Sequence, residues 1–247
     1  MKKKVALLVV CFGFVASYFA FPIAKQVYIA LTRSSADLAE VRSRVEPVLK
    51  TELEADGFEL GLPTFVRIFK EERELEVWLR KSERFELFRT YEVCNFSGDL
   101  GPKLKEGDRQ SPEGFYTVDK SAMNPNSSYH LSFNLGFPNL FDQANDRSGS
   151  FLMVHGDCVS VGCYAMTDQG IEEIYLIVEA AHSSGQDIVP VHAFPFRMNH
   201  DRLMFEQNNE WFGYWQNLKQ GYDLFEKDHL PPTVTVSGQR YTFATSS

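Results

Sequence analysis

The chain reads as mainly β with added helices, an α+β arrangement. Runs that alternate apolar and polar residues with period two begin after Pro63 and recur into the C-terminal tail. Three segments carry an apolar stripe at helical spacing, and they do not alternate regularly with the strands, which argues against a βαβ fold. Of 247 residues, 44% are hydrophobic and 23% charged, a globular rather than a disordered composition. The formal charge of −8, with no stripe of Lys or Arg, argues against nucleic-acid binding, which needs clustered cations against phosphate.

Lys2, Lys3 and Lys4 precede an uncharged run from Val5 to Ala24. As a helix, that run covers about 30 Å, one hydrocarbon core. The lysines hold the N-terminus on the cytoplasmic side, so the rest of the chain is expected in the periplasm. It is either tethered to the inner membrane by the run or released as from a signal peptide, for which Val15-Ala16-Ser17 has the small-residue pattern. A buried core helix is the alternative. Cys11 has Val10 before it, where a lipoprotein signal wants a small residue. Without Cys11, Cys94, Cys158 and Cys163 remain. An odd number in an oxidising compartment leaves one thiol unpaired.

Ser35 to Gly57 has Leu38, Val41, Val45, Val48, Leu49 and Leu53 at helical spacing. Ser34 or Ser35 is the expected cap, Gly57 the end, and Pro47 a kink or a break. Residues 65–70, 75–80 and 85–93 read as strands, followed by a loop from Gly98 to Gly114. Phe115–Val118, Tyr129–Phe133 and Phe151–Val154 are shorter strands, with an irregular stretch over residues 135–149. A second helix starts near Thr167, with Thr167 or Asp168 as cap, and Gly185 closes it. Val189–Phe194 is a strand. Trp211, Tyr214, Trp215, Leu218, Tyr222 and Phe225 mark a C-terminal amphipathic helix, its aromatic stripe expected to pack on a sheet. Thr233–Val236 is a strand in the tail.

The chemistry concentrates between Phe151 and Met166. An apolar strand ends in His155-Gly156, a loop follows, and Gly162-Cys163 leads toward the second helix. A Cys near a helix start and beside a His is expected to have a lowered thiol pKa, and the thiolate is the form that attacks a carbonyl carbon. His155 can take the thiol proton and return it to a leaving amine. Gly156 leaves space for a carbonyl to hold the His155 ring, and Gly162 lets backbone N–H groups turn toward a developing oxyanion. Spacing leaves two alternatives open. Cys163 is a small buried apolar residue, or His155, Cys158 and Cys163 hold zinc with His182 or His192, although no C-x-x-C pair is present.

The His155-Gly156 and Ser160-Val161-Gly162-Cys163 segments resemble the YkuD family of L,D-transpeptidase catalytic domains, as does Ser111-Pro112-Glu113-Gly114-Phe115-Tyr116. Residues 101–105, 129–136 and 192–196 resemble the YafK branch of that family. The resemblance spans Leu62 to Arg197. It implies a β-sandwich or barrel catalytic domain over residues 61–197. The flanking parts are then an N-terminal signal or anchor (1–30), a helical spacer (31–60) and a C-terminal helical extension with a tail (198–247). It implies Cys163 as the acylated nucleophile, His155 as general base and acid, the Gly156 carbonyl as the group orienting His155, and Gly162 as an oxyanion donor. Ser160, His130 and Arg197 are candidates for the substrate groove. The implied partners are peptidoglycan stem peptides, attacked at the meso-diaminopimelate carbonyl through a thioester, and an outer-membrane lipoprotein linked to the wall. The branch implies amidase-type release of that lipoprotein. A true transpeptidase is one alternative and a non-catalytic envelope module another. No cofactor and no metal are expected. A Cys94–Cys158 bridge would leave Cys163 free. Two departures stand out. Val161 occupies the place of the family's His in Ser-His-Gly-Cys, and Ala165 that of an Arg or Asn.

Overall fold

The computed structural model describes residues 35–245, so the apolar run of residues 5–24 and Cys11 lie outside the described residues. Among the described residues, no helix is long and apolar enough to cross a membrane. In chain order the elements are α1 (Leu38–Ala55), β1 (Thr64–Phe69), β2 (Glu74–Lys81), β3 (Arg84–Glu92), β4 (Asn95–Phe96), β5 (Gly114–Asp119), β6 (Met123–Asn124) and β7 (Ser132–Asn134). Then follow α2 (Leu140–Ala144), β8 (Met153–His155), β9 (Tyr164–Ala165), α3 (Asp168–Ser183), β10 (Ile188–Phe194), α4 (His200–Phe205), α5 (Phe212–Asp228), β11 (Thr233–Ser237) and β12 (Arg240–Ala244).

The fold is mixed α+β. One sheet has the order β3-β2-β1-β10-β5, with β1 and β10 parallel and the other neighbours antiparallel. The other has the order β4-β9-β8-β7-β6, with β8 and β9 parallel. β11 and β12 form a separate hairpin. Neither sheet closes on itself, so the barrel expected from the resemblance is not formed.

α3 joins the two sheets. It packs against β1 and β10 of the first, β7 and β8 of the second, and α1. Ile171, Ile174, Tyr175, Leu176, Ile177 and Val178 are all buried, the pattern of a helix surrounded on most sides. β1 is buried along its whole length because both of its faces are covered. Val66 and Ile68 join the core around α3, while Phe65 and Phe69 face aromatic side chains of α5. The stripe of α5 thus packs on the sheet, as its spacing predicts.

Several local expectations shift. Asp37, not Ser34 or Ser35, caps α1, its carboxylate accepting from the N–H groups of Ala39 and Glu40. Pro47 does not split α1, because Val41, Val45, Leu49 and Leu53 keep one buried face on both sides of it. The strand expected from Tyr129 starts at Ser132, since His130 turns the chain with a φ of 68°. The irregular stretch after Leu135 contains α2, whose start is a capping box between Asn139 and Asp142.

A buried charge pair ties the first sheet to the loop after β4 and to α5. Glu113 accepts from Lys70 Nζ at 3.0 Å, from the Gly101 N–H at 2.7 Å and from Trp215 Nε1 at 2.9 Å. Lys70 also donates to the Gly101 carbonyl at 2.8 Å. Both side chains are fully buried. Burial pushes the Lys70 ammonium down, and the Glu113 charge opposes that push. Removing one partner strands the other charge in a dry site. Glu113→Ala is therefore expected to lower the free energy of urea unfolding by about 3–5 kcal/mol. A loss below about 1 kcal/mol would show that the pair is dispensable.

His192 on β10 sits between the rings of Phe65 and Phe115, at centroid distances of 4.7 and 4.6 Å. Burial, reinforced by the Arg67 charge, pushes its imidazole down to about 3. The unfolded chain takes up that proton near pH 6.5, and the folded chain does not. Stability contributed by the neutral ring is present above about pH 6.5 and is lost as pH falls toward 3, by up to about 1.4 kcal/mol per unit. His192→Phe is expected to flatten the acid limb of a stability–pH curve. An unchanged limb would assign the acid loss to other groups.

Candidate active site

His155 ends β8, and its ring is fixed by its own neighbour. Nδ1 lies 2.6 Å from the Gly156 carbonyl oxygen. A carbonyl only accepts, so Nδ1 carries the proton and Nε2 of the neutral ring keeps its lone pair. The Tyr129 ring lies 4.7 Å from the His155 ring, centroid to centroid. Gly156 has no room for a side chain, because a Cβ there would stand 2.6 Å from Asp168 Oδ1 and 2.9 Å from the His130 Cβ. Its N–H donates to the Tyr129 carbonyl at 3.0 Å.

Cys163 stands just before β9, the parallel neighbour of β8, with His155 opposite Ala165. Met153 N–H donates to Cys163 Sγ at 3.5 Å, and the thiol points at the Phe151 carbonyl at 3.7 Å. His155 lies two residues beyond Met153 on the same strand, and successive odd positions share a face. His155, Met153 and Cys163 accordingly line one cleft of about 340 Å³. Asn124, Ser127, Ser128 and Tyr129 also line it, as do Phe151, Val159 and Val161. The lining contains no Lys, Arg, Asp or Glu. Phe151 and Val161 are 73% and 77% exposed, an apolar rim beside the sulfur.

The thiol is not activated as the sequence suggested. Burial pushes it up, and the Met153 N–H and the Lys103 charge, which pull it down, do not prevail. Nor does Cys163 open a helix. β9 intervenes, and α3 begins at Asp168, with Thr167 as its cap. The burial of Cys163 and its place just before β9 thus both differ from the helix-start setting that the sequence suggested.

The loop between His155 and Cys163 is held at several points. Cys158 is bonded to Cys94, with their Cα atoms 5.3 Å apart, which leaves Cys163 as the free cysteine of the described residues. That bond removes Cys158 as a zinc ligand, and no group of three potential ligands occurs among the described residues. Asp157 and Cys158 both have positive φ, and the Asp157 N–H donates to Asp168 Oδ1 at 2.8 Å. Gly162 adopts a φ of 118°, open to glycine and strained for other residues.

Three of the expected groove residues lie elsewhere. Ser160 donates its hydroxyl to the Cys163 carbonyl at 2.7 Å and supports the nucleophile's backbone rather than the cleft wall. His130 is bound by Glu172 of α3, with Nε2 2.8 Å from the carboxylate, and does not line the cleft. Arg197 is held by Glu74 and Glu76 of β2, with its guanidinium 4.4 Å from the Phe69 ring centroid, outside the cleft lining. Sequence reasoning missed Ser97, whose hydroxyl meets that of Ser160 at 2.7 Å, because nothing in its local pattern marks it.

Residues 63–191 match the family described as YkuD, L,D-transpeptidase catalytic domain. The chain is 46% identical over 182 residues to the Escherichia coli K12 protein called "Putative L,D-transpeptidase YafK", covering 74% of each chain. The match to the same-named protein of Escherichia coli O157:H7 has the same identity and coverage. Among solved structures, a mutant of the helical cell shape determining protein Pgp2 of Campylobacter jejuni is similar, at 19% identity and a TM-score of 0.46. That match covers 71% of this chain and 64% of that one, so the chain spans less than two thirds of that structure.

A thiol that its surroundings push up has a kinetic consequence. The rate of Cys163 alkylation by iodoacetamide is expected to rise with pH to a midpoint above the ordinary thiol value of about 8.5. A plateau already reached near pH 6 would instead reveal a thiolate paired with an imidazolium.

Proposed function

Because the chain belongs to the YkuD family of L,D-transpeptidase catalytic domains, a family of peptidoglycan chemistry, we propose that it is a periplasmic cysteine enzyme that cleaves wall-linked lipoprotein from meso-diaminopimelate. The observation that carries this reading is one cleft holding both the Cys163 thiol and an imidazole whose Nδ1–H is fixed on the Gly156 carbonyl.

The proposed reaction starts with proton transfer from the Cys163 thiol to His155 Nε2. Sulfur attacks the diaminopimelate carbonyl carbon, and the oxyanion develops near the backbone around Gly162 and Cys163. The imidazolium returns its proton to the leaving amine, the C–N bond breaks, and a thioester remains. His155 then takes a proton from water as the water oxygen attacks the thioester carbon. The C–S bond breaks, and the imidazolium returns the proton to the departing sulfur, which frees the stem peptide and restores the thiol. Burial that pushes the thiol up favours a role for the base in the first step.

The electrostatics of the cleft support release of a protein over cross-linking of stem peptides. A free C-terminal D-amino acid brings a carboxylate, and a carboxylate is best held by a cation. The lining offers none, and apolar Val161 projects where the family has His. A leaving amine that belongs to a longer chain brings no adjacent carboxylate and fits an apolar wall. Residues 1–30 serve as the export signal or inner-membrane tether in this reading.

Lipoprotein-linked muropeptide incubated with the enzyme is expected to yield free protein and tripeptide by mass spectrometry. Newly joined stem peptides would point to a transpeptidase instead. Cys163→Ala is expected to abolish turnover, and His155→Ala to lower it by roughly 10²–10⁴-fold. Full activity in Cys163→Ala would remove the cysteine mechanism.

A further inference from the structure

The carbonyl oxygen of Cys163 receives two hydroxyl donors. Ser111 Oγ donates to it at 2.8 Å and Ser160 Oγ at 2.7 Å. Each serine has one proton, and both are used on this oxygen. The direction of the remaining contacts follows. Ser160 has no second proton, so Ser97 must donate across the 2.7 Å contact between their hydroxyls. The Ser97 N–H in turn donates to Ser111 Oγ at 3.0 Å, and the Ser111 N–H donates back to the Ser97 carbonyl at 2.9 Å. Both lone pairs of the Cys163 carbonyl are thereby occupied, and Ser97 and Ser111 hold it from outside the nucleophile loop.

The two outer serines rest on rigid ground. Ser97 follows β4, which pairs with β9 directly after Cys163, and Cys94 just ahead of β4 is bonded to Cys158. Ser111 is fully buried. Its neighbour Pro112 accepts the Tyr164 hydroxyl at 2.6 Å, and Glu113 beyond it carries the Lys70 pair. The segment from Ser111 to Glu113 therefore connects the nucleophile's own peptide to the buried charge pair.

We propose that Ser111 and Ser97 are positioning residues for the nucleophile, locking the Cys163 peptide so that Sγ stays in the cleft beside the Met153 N–H. The proposal rests on Cys163 being the nucleophile, and the tests separate the two. A displaced peptide loses the Met153 contact, which is one of the influences drawing the thiol down.

Ser111→Ala and Ser97→Ala are each expected to lower kcat by roughly 10- to 100-fold, since sub-ångström placement governs such attacks. KM should stay within about twofold, because neither serine lines the cleft. The pH midpoint of Cys163 alkylation should move upward in both variants. Ser111→Thr, which keeps a hydroxyl, should restore kcat. Ser97 is only half-buried, so Ser97→Ala answers the question if Ser111→Ala does not fold. Wild-type kcat with an unmoved alkylation profile would overturn the proposal, as would a loss confined to KM or a Ser111→Thr as impaired as the alanine variant. Should Cys163→Ala remain active, the mechanism fails, and the alkylation midpoint still decides whether the two serines hold the thiol in place.

Discussion

The site depends on two very short strands lying parallel. β8 has three residues and β9 has two, and their pairing sets His155 opposite Ala165, with Cys163 beside Met153. Parallel neighbours cannot be joined by a tight turn and are usually linked by a long crossover. Here the chain returns within the few residues from Gly156 to Cys163. It does so by using backbone conformations that ordinary residues avoid, at Asp157, Cys158 and Gly162. Such a loop would relax if left alone. The Cys94–Cys158 bond, with a sequence separation of 64, restrains the unfolded chain by about 4 kcal/mol on a loop-entropy estimate. The hydrogen bond from the Met166 N–H to the His155 carbonyl, at 2.7 Å, continues the pairing past the strand end.

Charge is distributed to the same end. The strong pairs lie away from the cleft, as with Lys70 and Glu113 in the core and Arg197 on Glu74 and Glu76 at β2. The cleft itself holds an imidazole, a thiol, neutral polar groups and hydrocarbon. The Lys103 charge and the Met153 N–H draw the thiol down, but burial outweighs them. In the proposed reaction, His155 is the group that takes the proton from this sulfur.

Much of this was legible in the sequence. His155, Gly156, Gly162 and Cys163 sit in one short segment, and the structure brings His155 and Cys163 to one cleft because strand pairing is local there. The long elements were legible for the same reason. The periods of α1, α3, α5 and the strands β1 to β3 persist over enough residues to show. Elements of two or three residues leave no period to read, which is why β4, β6 and β9 were missed. For His130 and Arg197 the sequence left a groove role and a structural role both open, because composition does not reveal which carboxylate a side chain will meet. Glu172 and the Glu74–Glu76 pair come from distant parts of the chain. The raised thiol was illegible because burial depends on three-dimensional packing, whereas a nearby His in sequence suggests the opposite sign.

The three cysteines of the described residues have a consequence for disulfide pairing. Cys158 and Cys163 are only five positions apart, so an oxidising folding environment offers Cys94 two rival partners and Cys158 two of its own. Only the native bridge spares the reactive sulfur, and either mistaken pairing would consume it. The pairing of β4, which follows Cys94 in the chain, with β9 is the folded contact that accompanies the bridge leaving Cys163 free.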